Sequence, residues 1–358
     1  MKNLLQLFLT LIILITAVGC NEDKEVISQV DIPAQFSVDI PTPISSNTGN
    51  LNGRTAGDGD GVIEGNEIYE SVRYFIHLGE SSAEILELTL KVGAALESQN
   101  VRSYTFLSDD DDREKRIEIT ENVTRGGETY AYEMIMVDTE NSEQALQLLW
   151  NTSPVSGVAI LQPYNIDRSD DEASENAFFR VDYTEDHAEY DAAMTISIAG
   201  VETVENGDID NLKMFVGKKG DVVDVMGNSN HPNVVIIDED YTGGRNYAFV
   251  GRGDESTDLG VIKLALPPSS TTTADVLTDF SVYAVLDTEI KKVADLDQNT
   301  IDDILAEALS PAYFNNDGFI TSGPDNKPVS FSDSFVDLSG MNPFVPNDVK
   351  NLTIGFIQ

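Results

Sequence analysis

The sequence predicts an α+β protein in which an N-terminal helical unit is followed by a long antiparallel β-meander, half-barrel or sandwich-like in form. Between Asn66 and about Glu97, apolar residues recur at the spacing of an amphipathic helix. After Asn100 the apolar period changes to two, which is typical of strands with one buried face. Short turn signals separate these alternating segments, so we expect strands that are neighbours in the chain to pair.

The helical region is the first element in order. Ile68, Val72 and Phe75 follow the helical spacing, and a similar apolar set recurs further along. Gly79 interrupts the pattern, and Ser81 or Ser82 could cap a new start. The sequence therefore predicts two consecutive helices.

The meander is predicted from alternating segments that are bounded by turn residues. A turn at 124–127 and another at 218–221 each mark a hairpin. An edge strand is predicted before the helices and a last strand at the end of the chain. The predicted strands are 36–40, 116–120, 129–137, 179–183, 194–198, 212–216, 222–226, 247–250, 261–266, 282–286 and 352–357.

Two short helices are predicted among these strands. The first covers Ser142–Leu149. The second covers Ile301–Leu309, where Thr300 and Asp303 have the spacing of a capping box. Together these elements divide the chain into four segments: a signal peptide at 1–19, a lipidated cysteine with a tether at 20–57, the main α+β domain at 58–309, and a loop-rich C-terminal segment at 310–358 that ends in a strand.

The first twenty residues have the composition of an export signal. A basic start precedes the apolar run Leu4–Val18, which is shorter than the roughly 20 residues that cross a bilayer. Ala17-Val18-Gly19-Cys20 resembles the lipobox of bacterial membrane lipoproteins, in which small residues precede the lipid-bearing cysteine. The resemblance implies cleavage before Cys20, lipid on that residue and stable membrane attachment. Cys20 is the only cysteine in the chain, which agrees with this role.

The residues after the cysteine bear on which membrane carries the protein. Residue 21 is Asn rather than the Asp that favours inner-membrane retention in many lipoproteins, so the resemblance implies the outer membrane. The acidic cluster at 22–25 is similar to the surface-export tag of some Gram-negative lipoproteins, and it is equally consistent with a solvated tether.

Charge narrows the classes of partner. Cleavage after residue 19 removes one lysine and leaves 62 acidic and 21 basic residues. Nucleic acid and anionic lipid surfaces are recognised by basic faces, so neither is an expected ligand. Carboxylate oxygens are the ligands that calcium prefers, which makes a calcium-rich exterior a suitable environment.

The best candidate metal site is the acidic, glycine-rich turn before the first helix. Aligned with an EF-hand loop through Gly61, its candidate oxygen donors are Asp58, Asp60, Glu64, Glu67 and the carbonyl of Val62. The first ligand position is Ala56, which departs from the pattern. The alternative is an acidic turn that leads into a helix.

Enzyme motifs are missing from the sequence. It contains no Gly-x-Ser-x-Gly elbow, no phosphate-binding glycine loop and no cysteine other than Cys20. No two of the three histidines have the spacing of a zinc-ligand motif, and only His187 lies among several carboxylates. The tripeptide Arg252-Gly253-Asp254 matches an integrin-binding motif, although Gly-Asp is also ordinary turn chemistry.

These observations predict a non-enzymatic, lipid-anchored envelope protein that binds a ligand or a partner. The order of one helical unit and then a long meander is similar to that of half-barrel envelope lipoproteins, which curl a sheet around a helix and carry lipids. That similarity implies a lipid or another apolar small molecule as the ligand. The alternative is a structural or adhesive cell-surface protein with calcium-stabilised acidic loops and a surface protein as partner.

Overall fold

The fold was analysed in a computed structural model of the chain. The structure describes residues 33, 35–47, 65–97, 103–108, 111–169, 174–201 and 209–358. It divides into two compact units. The first unit lies within Met1–Ser37, Ser81–His187 and Ile354–Gln358, and the second within Val38–Glu80 and Ala188–Thr353.

The described residues of the first unit form six strands, and each pairs antiparallel with the next along the chain. Their polar and apolar residues alternate most clearly in the second and sixth strands. The strands are β1 (Ser103–Leu107), β2 (Glu114–Arg125), β3 (Glu128–Asp138), β4 (Glu143–Thr152), β5 (Val155–Leu161) and β6 (Phe178–Thr184).

In the second unit, the part of the chain that the structure describes forms seven strands, which pair in the same consecutive, antiparallel way. They are β7 (Ala192–Ala199), β8 (Asn211–Lys219), β9 (Val222–His231), β10 (Arg245–Asp254), β11 (Leu259–Ala265), β12 (Ala312–Asn315) and β13 (Gly318–Ser322).

Five α-helices occur in the described part of the chain. They are α1 (Gly65–Glu97), α2 (Val282–Val293), α3 (Gln298–Ile304), α4 (Asp333–Val336) and α5 (Pro346–Lys350). Short 3₁₀ turns lie at Pro163–Asn165, Ala306–Ala308 and Pro324–Asn326. The antiparallel strand character is confirmed, and the fold is mostly β because the helical share is smaller than an α+β assignment implies.

The predicted break at Gly79 is wrong, because α1 runs without interruption from Gly65 to Glu97. A Cβ atom on Gly79 would lie 2.6 Å from the Met214 Cε of β8. The glycine therefore lets the helix backbone approach the strand closely, and the helix tolerates its lower propensity.

The predicted helix at Ser142–Leu149 is wrong, because this segment belongs to β4. Six consecutive residues of this strand, from Ala145 to Trp150, are buried, so it has no polar face to show a period of two. A short run that is apolar on both faces does not distinguish a strand from a buried helix. Trp150, the only tryptophan of the chain, is among these buried residues.

The predicted strand at 282–286 is also wrong, because these residues begin α2. Val282, Val285, Leu286 and Ile290 are buried at helical spacing, and the Ser281 hydroxyl accepts the capping hydrogen bond from Ala284 N. The first five residues of α2 are all hydrophobic, and valine and tyrosine among them favour strands, so this short segment has the composition of a strand.

The next helix, α3, begins earlier than predicted. Its cap is Asp297, whose carboxylate accepts from Thr300 N, rather than Thr300 itself. The α-helical turns end at Ile304, and a 3₁₀ turn completes the predicted Ile301–Leu309 segment.

The strands predicted at 36–40 and 352–357 do not form. Both segments are irregular, and side chains rather than neighbouring strands supply several of their hydrogen-bond partners. In the first unit, the Gln147 side chain accepts from Ile357 N at 2.8 Å and donates to Ile357 O at 2.9 Å. One carboxamide thus satisfies both backbone groups of a residue, as a strand partner would.

Three glutamates of α1 supply acceptors in a similar way. Glu70 accepts from Phe319 N at 3.1 Å, and Glu80 accepts from Ile40 N at 2.7 Å, both in the second unit. In the first unit, Glu87 accepts from Phe36 N at 3.1 Å. Glu80 and Glu87 therefore hold irregular segments against the helix, and Glu70 holds strand β13 in the same way.

Asparagines of the second unit hold the segment around α5 to the sheet. Asn211 donates to Lys350 O at 3.0 Å, and Asn228 donates to Phe344 O at 2.8 Å. Asn246 donates to the Asn228 side chain at 2.8 Å, which extends the network to β10. These three asparagines are buried, so their hydrogen bonds offset the cost of removing them from water.

No described helix has the length and apolar composition needed to cross a membrane.

We predict that Gly227→Ala destabilises the second unit. Gly227 of β9 lies opposite Phe249 of β10, and a Cβ there would lie 2.2 Å from the buried Phe249 Cζ. The ring must move within a packed core, so we expect a loss of about 1–3 kcal/mol in the free energy of unfolding. Denaturant unfolding checks this. Gly355→Ala is the control, because nothing lies within 4 Å of its Cβ position; equal effects of the two changes would contradict the packing argument.

Candidate functional site

Most of the functional residues that the sequence predicts lie outside the described part of the chain. Cys20 and four of the candidate calcium donors, Asp58, Asp60, Val62 and Glu64, fall there. The fifth, Glu67, lies in the first turn of α1 and is exposed. Among the described residues, no group of three or more acidic, histidine or cysteine side chains has the geometry of a metal site.

The Arg252-Gly253-Asp254 tripeptide is committed to internal contacts. Arg252 makes two hydrogen bonds to the Asp224 carboxylate, at 2.6 and 3.1 Å. Asp254 accepts from Ser256 and Thr257 in the following turn. The tripeptide ends strand β10 instead of forming a free loop tip.

His231 and Ser229 form a pair with the composition of a catalytic dyad. The Ser229 hydroxyl lies 2.8 Å from His231 Nε2. Both residues are fully buried, and the imidazole packs against the rings of Phe75 and Tyr247 at centroid distances of 4.8 and 4.7 Å. A substrate could not reach a hydroxyl in that position, so the pair belongs to the core of the second unit.

The first unit contains a cluster of charged side chains at one end of β2 and β3. We call it the Asp138 cluster, and it consists of Asp111, Arg113, Lys115, Asp138 and Arg168. Asp138 and Lys115 are 0 % and 1 % exposed. Two buried charges of opposite sign are stable only when they are paired and hydrogen-bonded.

Strand register places the two buried charges together. Lys115 of β2 and Asp138 of β3 are direct cross-strand partners. Lys115 Nζ donates to Asp138 at 3.1 Å, to Asp111 at 2.8 Å and to the carbonyl of Asn165 at 3.2 Å. The ammonium group therefore uses its three donors in three directions, and it joins the β1–β2 loop to the segment after β5.

Arginines complete the surroundings of Asp138. Arg113 makes a two-point interaction with its carboxylate, at 2.6 and 3.1 Å. Arg168 Nε lies 3.6 Å from the same carboxylate. Burial alone would raise the pKa of Asp138, but hydrogen bonds from Arg113 and Lys115 outweigh it and lower the pKa to about 2. Asp138 is therefore an anion throughout the physiological range.

A cleft opens beside this cluster, with a volume of about 360 Å³. That volume is within the range of small-molecule sites, although the lining is more polar than is usual for them. Its lining residues are Glu143, Gln144, Gln162, Tyr164, Asn165, Arg168, Glu175 and Phe356.

Internal hydrogen bonds fix the polar lining. Asn165, in the 3₁₀ turn after β5, donates to the carbonyl of Gln144 at 2.9 Å and to the side chain of Gln162 at 2.7 Å. Gln162 in turn donates to the carbonyl of Glu175 at 2.9 Å. The Asp138 cluster holds the same segment through Lys115. The lining is therefore positioned before any ligand arrives, which lowers the entropic cost of binding.

Arg168 connects the cluster with the cleft. Its guanidinium forms an ion pair with Glu143 and donates to Asn165 Oδ1 at 2.6 Å. It also lies over the ring of Tyr164, 4.9 Å from the centroid. The cleft thus has polar groups, two aromatic residues and a guanidinium held by several partners.

Sequence reasoning missed this site for identifiable reasons. Asp111 lies in a run of four aspartates at 109–112, which reads as a solvated loop, yet its side chain is 2 % exposed. Lys115 lies two residues before Ile117, so it is on the same, buried face of β2. This position in the alternating pattern could have indicated an inward-facing cation. No sequence pattern linked these residues to Arg168.

Comparison of the chain with protein-family models, with curated proteins and with solved structures gave no match. The function is therefore argued from the site itself.

We predict that Asp138→Asn strongly destabilises the first unit at neutral pH. The change removes the buried carboxylate that Lys115 and Arg113 share and leaves Asp111 as the remaining anion beside the Lys115 ammonium, which should cost about 3–5 kcal/mol. Asp182→Asn, which removes a partly exposed partner of Arg180, is the control and should cost about 1 kcal/mol or less. Chemical unfolding of the two variants checks the difference.

The same variant should change the dependence of stability on acid. The folded-state pKa of Asp138 is about 2, below its ordinary value of 3.8. Its contribution is therefore complete above pH 4 and is lost as the pH falls towards 2. The free-energy gap between wild type and Asp138→Asn should narrow over that interval, and a constant gap would contradict the assignment.

Proposed function

We propose that the protein is a non-enzymatic, lipid-anchored envelope protein that binds a polar ligand, or a polar group of a partner, in the cleft of the first unit. The observation that carries this proposal is the cleft itself: a preorganised, largely polar concavity supported by buried ion pairs. Binding sites combine concavity with a few fixed polar groups, and this cleft has both features.

The anchor rests on the N-terminal sequence. A basic start, a short apolar run and the Ala17–Cys20 segment support export, cleavage and lipid attachment at Cys20. Asn21 and the acidic residues after it favour the outer membrane, with exposure at the cell surface as the extended form of the proposal. The lipid would bring the cleft to the envelope, where a partner or a soluble ligand can meet it.

The ligand is proposed to be polar because the cleft is lined mainly by amide and charged side chains. This favours a polar ligand over the lipid that the meander suggested.

The absence of an enzymatic role is proposed from the sequence and from one contact. The chain lacks the nucleophile motifs of common hydrolases. The pair Ser229–His231 has the required atoms but lies fully inside a core.

A second candidate function is a structural or adhesive surface protein. The tightly packed cores and the many internal side-chain-to-backbone hydrogen bonds favour a rigid body of this kind. Calcium would then bind the acidic loop at 58–64 and Glu67. The two candidates share the lipid anchor and differ in the use of the cleft.

We predict that Cys20→Ser releases the protein from membranes. The change removes the thiol that carries the lipid, and the rest of the protein has no described helix able to replace the anchor. Membrane fractionation together with labelling by a fatty-acid analogue checks this. Asn21→Ser is the control and should stay labelled and membrane-bound. Retention of unlabelled Cys20→Ser in the membrane would contradict the proposal.

We predict that Glu175→Trp blocks ligand binding to residues 21–358. Glu175 is an exposed lining residue, so an indole there should fill the cleft without disturbing the core. Ligand-observed NMR with a panel of sugars, amines and small anions measures binding. Asp186→Trp, an exposed change of the same kind outside the cleft lining, should bind as wild type does.

Two outcomes would contradict cleft binding. One is a ligand whose affinity is the same in both tryptophan variants. The other is a protein that binds nothing from the panel but gains thermal stability from calcium, and loses that gain in Asp58→Asn with Asp60→Asn. The second outcome would favour the structural or adhesive candidate.

A further inference from the structure

The charges of the cleft are not balanced. Glu143, Glu175 and Arg168 are its charged lining residues, which gives the lining a formal charge of −1. The whole chain carries −40, so the surrounding field has the same sign. A negative potential raises the local concentration of cations and lowers that of anions.

Arg168, the one cation among the described lining residues, already has several partners. Arg168 pairs with Glu143 and lies 3.6 Å from Asp138, a second carboxylate. Its guanidinium also donates to Asn165 Oδ1 and covers the ring of Tyr164. An anionic ligand would have to displace one of these carboxylates to reach it. Arg168 is therefore a structural cation and a poor anion receptor.

The two glutamates of the lining have carboxylate oxygens that can still accept hydrogen bonds from a ligand. Within the described chain, the Glu175 side chain accepts no hydrogen bond and makes no ion pair, and the hydrogen bond from Gln162 goes to the Glu175 backbone carbonyl. Glu143 uses Oε2 for Arg168 and for Asn141 Nδ2 at 3.0 Å, which leaves Oε1 as an acceptor. Glu143 and Glu175 thus present acceptor oxygens that carry negative charge.

An aromatic side chain completes the lining. Phe356 meets Phe178 edge to face, with ring centroids 5.5 Å apart, so its orientation is fixed by packing. The face of an aromatic ring attracts cations, and ammonium and guanidinium groups both use this interaction. Carboxylates and an aromatic ring in one preorganised cleft favour a ligand that is positively charged and rich in N–H donors.

We propose that the cleft of the first unit recognises an organic cation, a primary ammonium or guanidinium group, and excludes anions. This inference rests on the proposed binding function and names the class of its ligand. The same chemistry is present in a free diamine and in a lysine or arginine side chain of a partner. The volume of about 360 Å³ can accept either one.

The test titrates residues 21–358 with four probes at low and high salt: 1,5-diaminopentane, the peptide acetyl-Gly-Lys-Gly-amide, glucose and inorganic phosphate. Backbone amide NMR shifts report both affinity and place. We expect the diamine or the peptide to shift residues of the cleft, with weaker binding at high salt. Tighter binding of the diamine points to a free amine as the source, and tighter binding of the peptide points to a partner side chain.

Charge variants test the recognition itself. Glu175→Gln should weaken amine binding about threefold to fivefold, the effect of one exposed ion pair. Asp186→Asn removes an exposed charge outside the cleft lining and should change the affinity much less. Glu143→Gln combined with Glu175→Gln leaves Arg168 as the only charge of the lining, and this variant should lose amine binding and gain phosphate binding.

The outcomes separate this inference from the proposed function. Glucose or phosphate binding that Glu175→Trp blocks, without amine binding, would overturn the cation assignment and keep the cleft as a binding site. Equal amine affinity in Glu175→Gln and Asp186→Asn would also overturn it. If no probe binds, or if Glu175→Trp blocks none of them, the binding function of the cleft fails as well.

Discussion

The demand that buried backbone groups find hydrogen-bond partners shapes both units of this protein. Most of them meet it through antiparallel pairing between consecutive strands. Outside the paired strands, side chains supply the partners. The Gln147 carboxamide bonds both backbone groups of Ile357, and the buried Asn211 and Asn228 donate to backbone carbonyls of the segment around α5. Through these hydrogen bonds, side chains of the strands hold the irregular segments in place.

The same demand explains how a very acidic chain builds a packed structure. Glu70, Glu80 and Glu87 lie on one long helix, and a sequence pattern assigns such residues to a solvated face. Instead, Glu80 and Glu87 each accept from a backbone N–H of an irregular segment, and Glu70 accepts from a backbone N–H of strand β13. Part of the negative charge is therefore structural, because an ionised carboxylate is a strong acceptor for an amide that would otherwise be buried without a partner.

The alternation of polar and apolar residues predicted strands correctly where a strand has one buried face and one polar face. The hairpin at 218–221 and the alternation at 179–183 became strands as expected. Prediction failed where burial is two-sided or where apolar residues are crowded, as in β4 and at the start of α2. It also failed at Gly79, because a close approach to Met214 is a tertiary contact that helix propensity does not contain.

The candidate site could be predicted from the sequence even less than the fold could. Lys115 and Asp138 lie 23 positions apart, and Arg168 follows 30 positions later, so only strand register and the turn after β5 bring them together. The ion pairs of the cluster explain why the cleft has a net negative charge although its lining includes an arginine. Asp138 and Glu143 both compensate Arg168, while Glu175 has no cation beside it among the described residues. The buried pairs thus make the cleft rigid and also leave a carboxylate uncompensated, which is the condition that favours a cationic ligand.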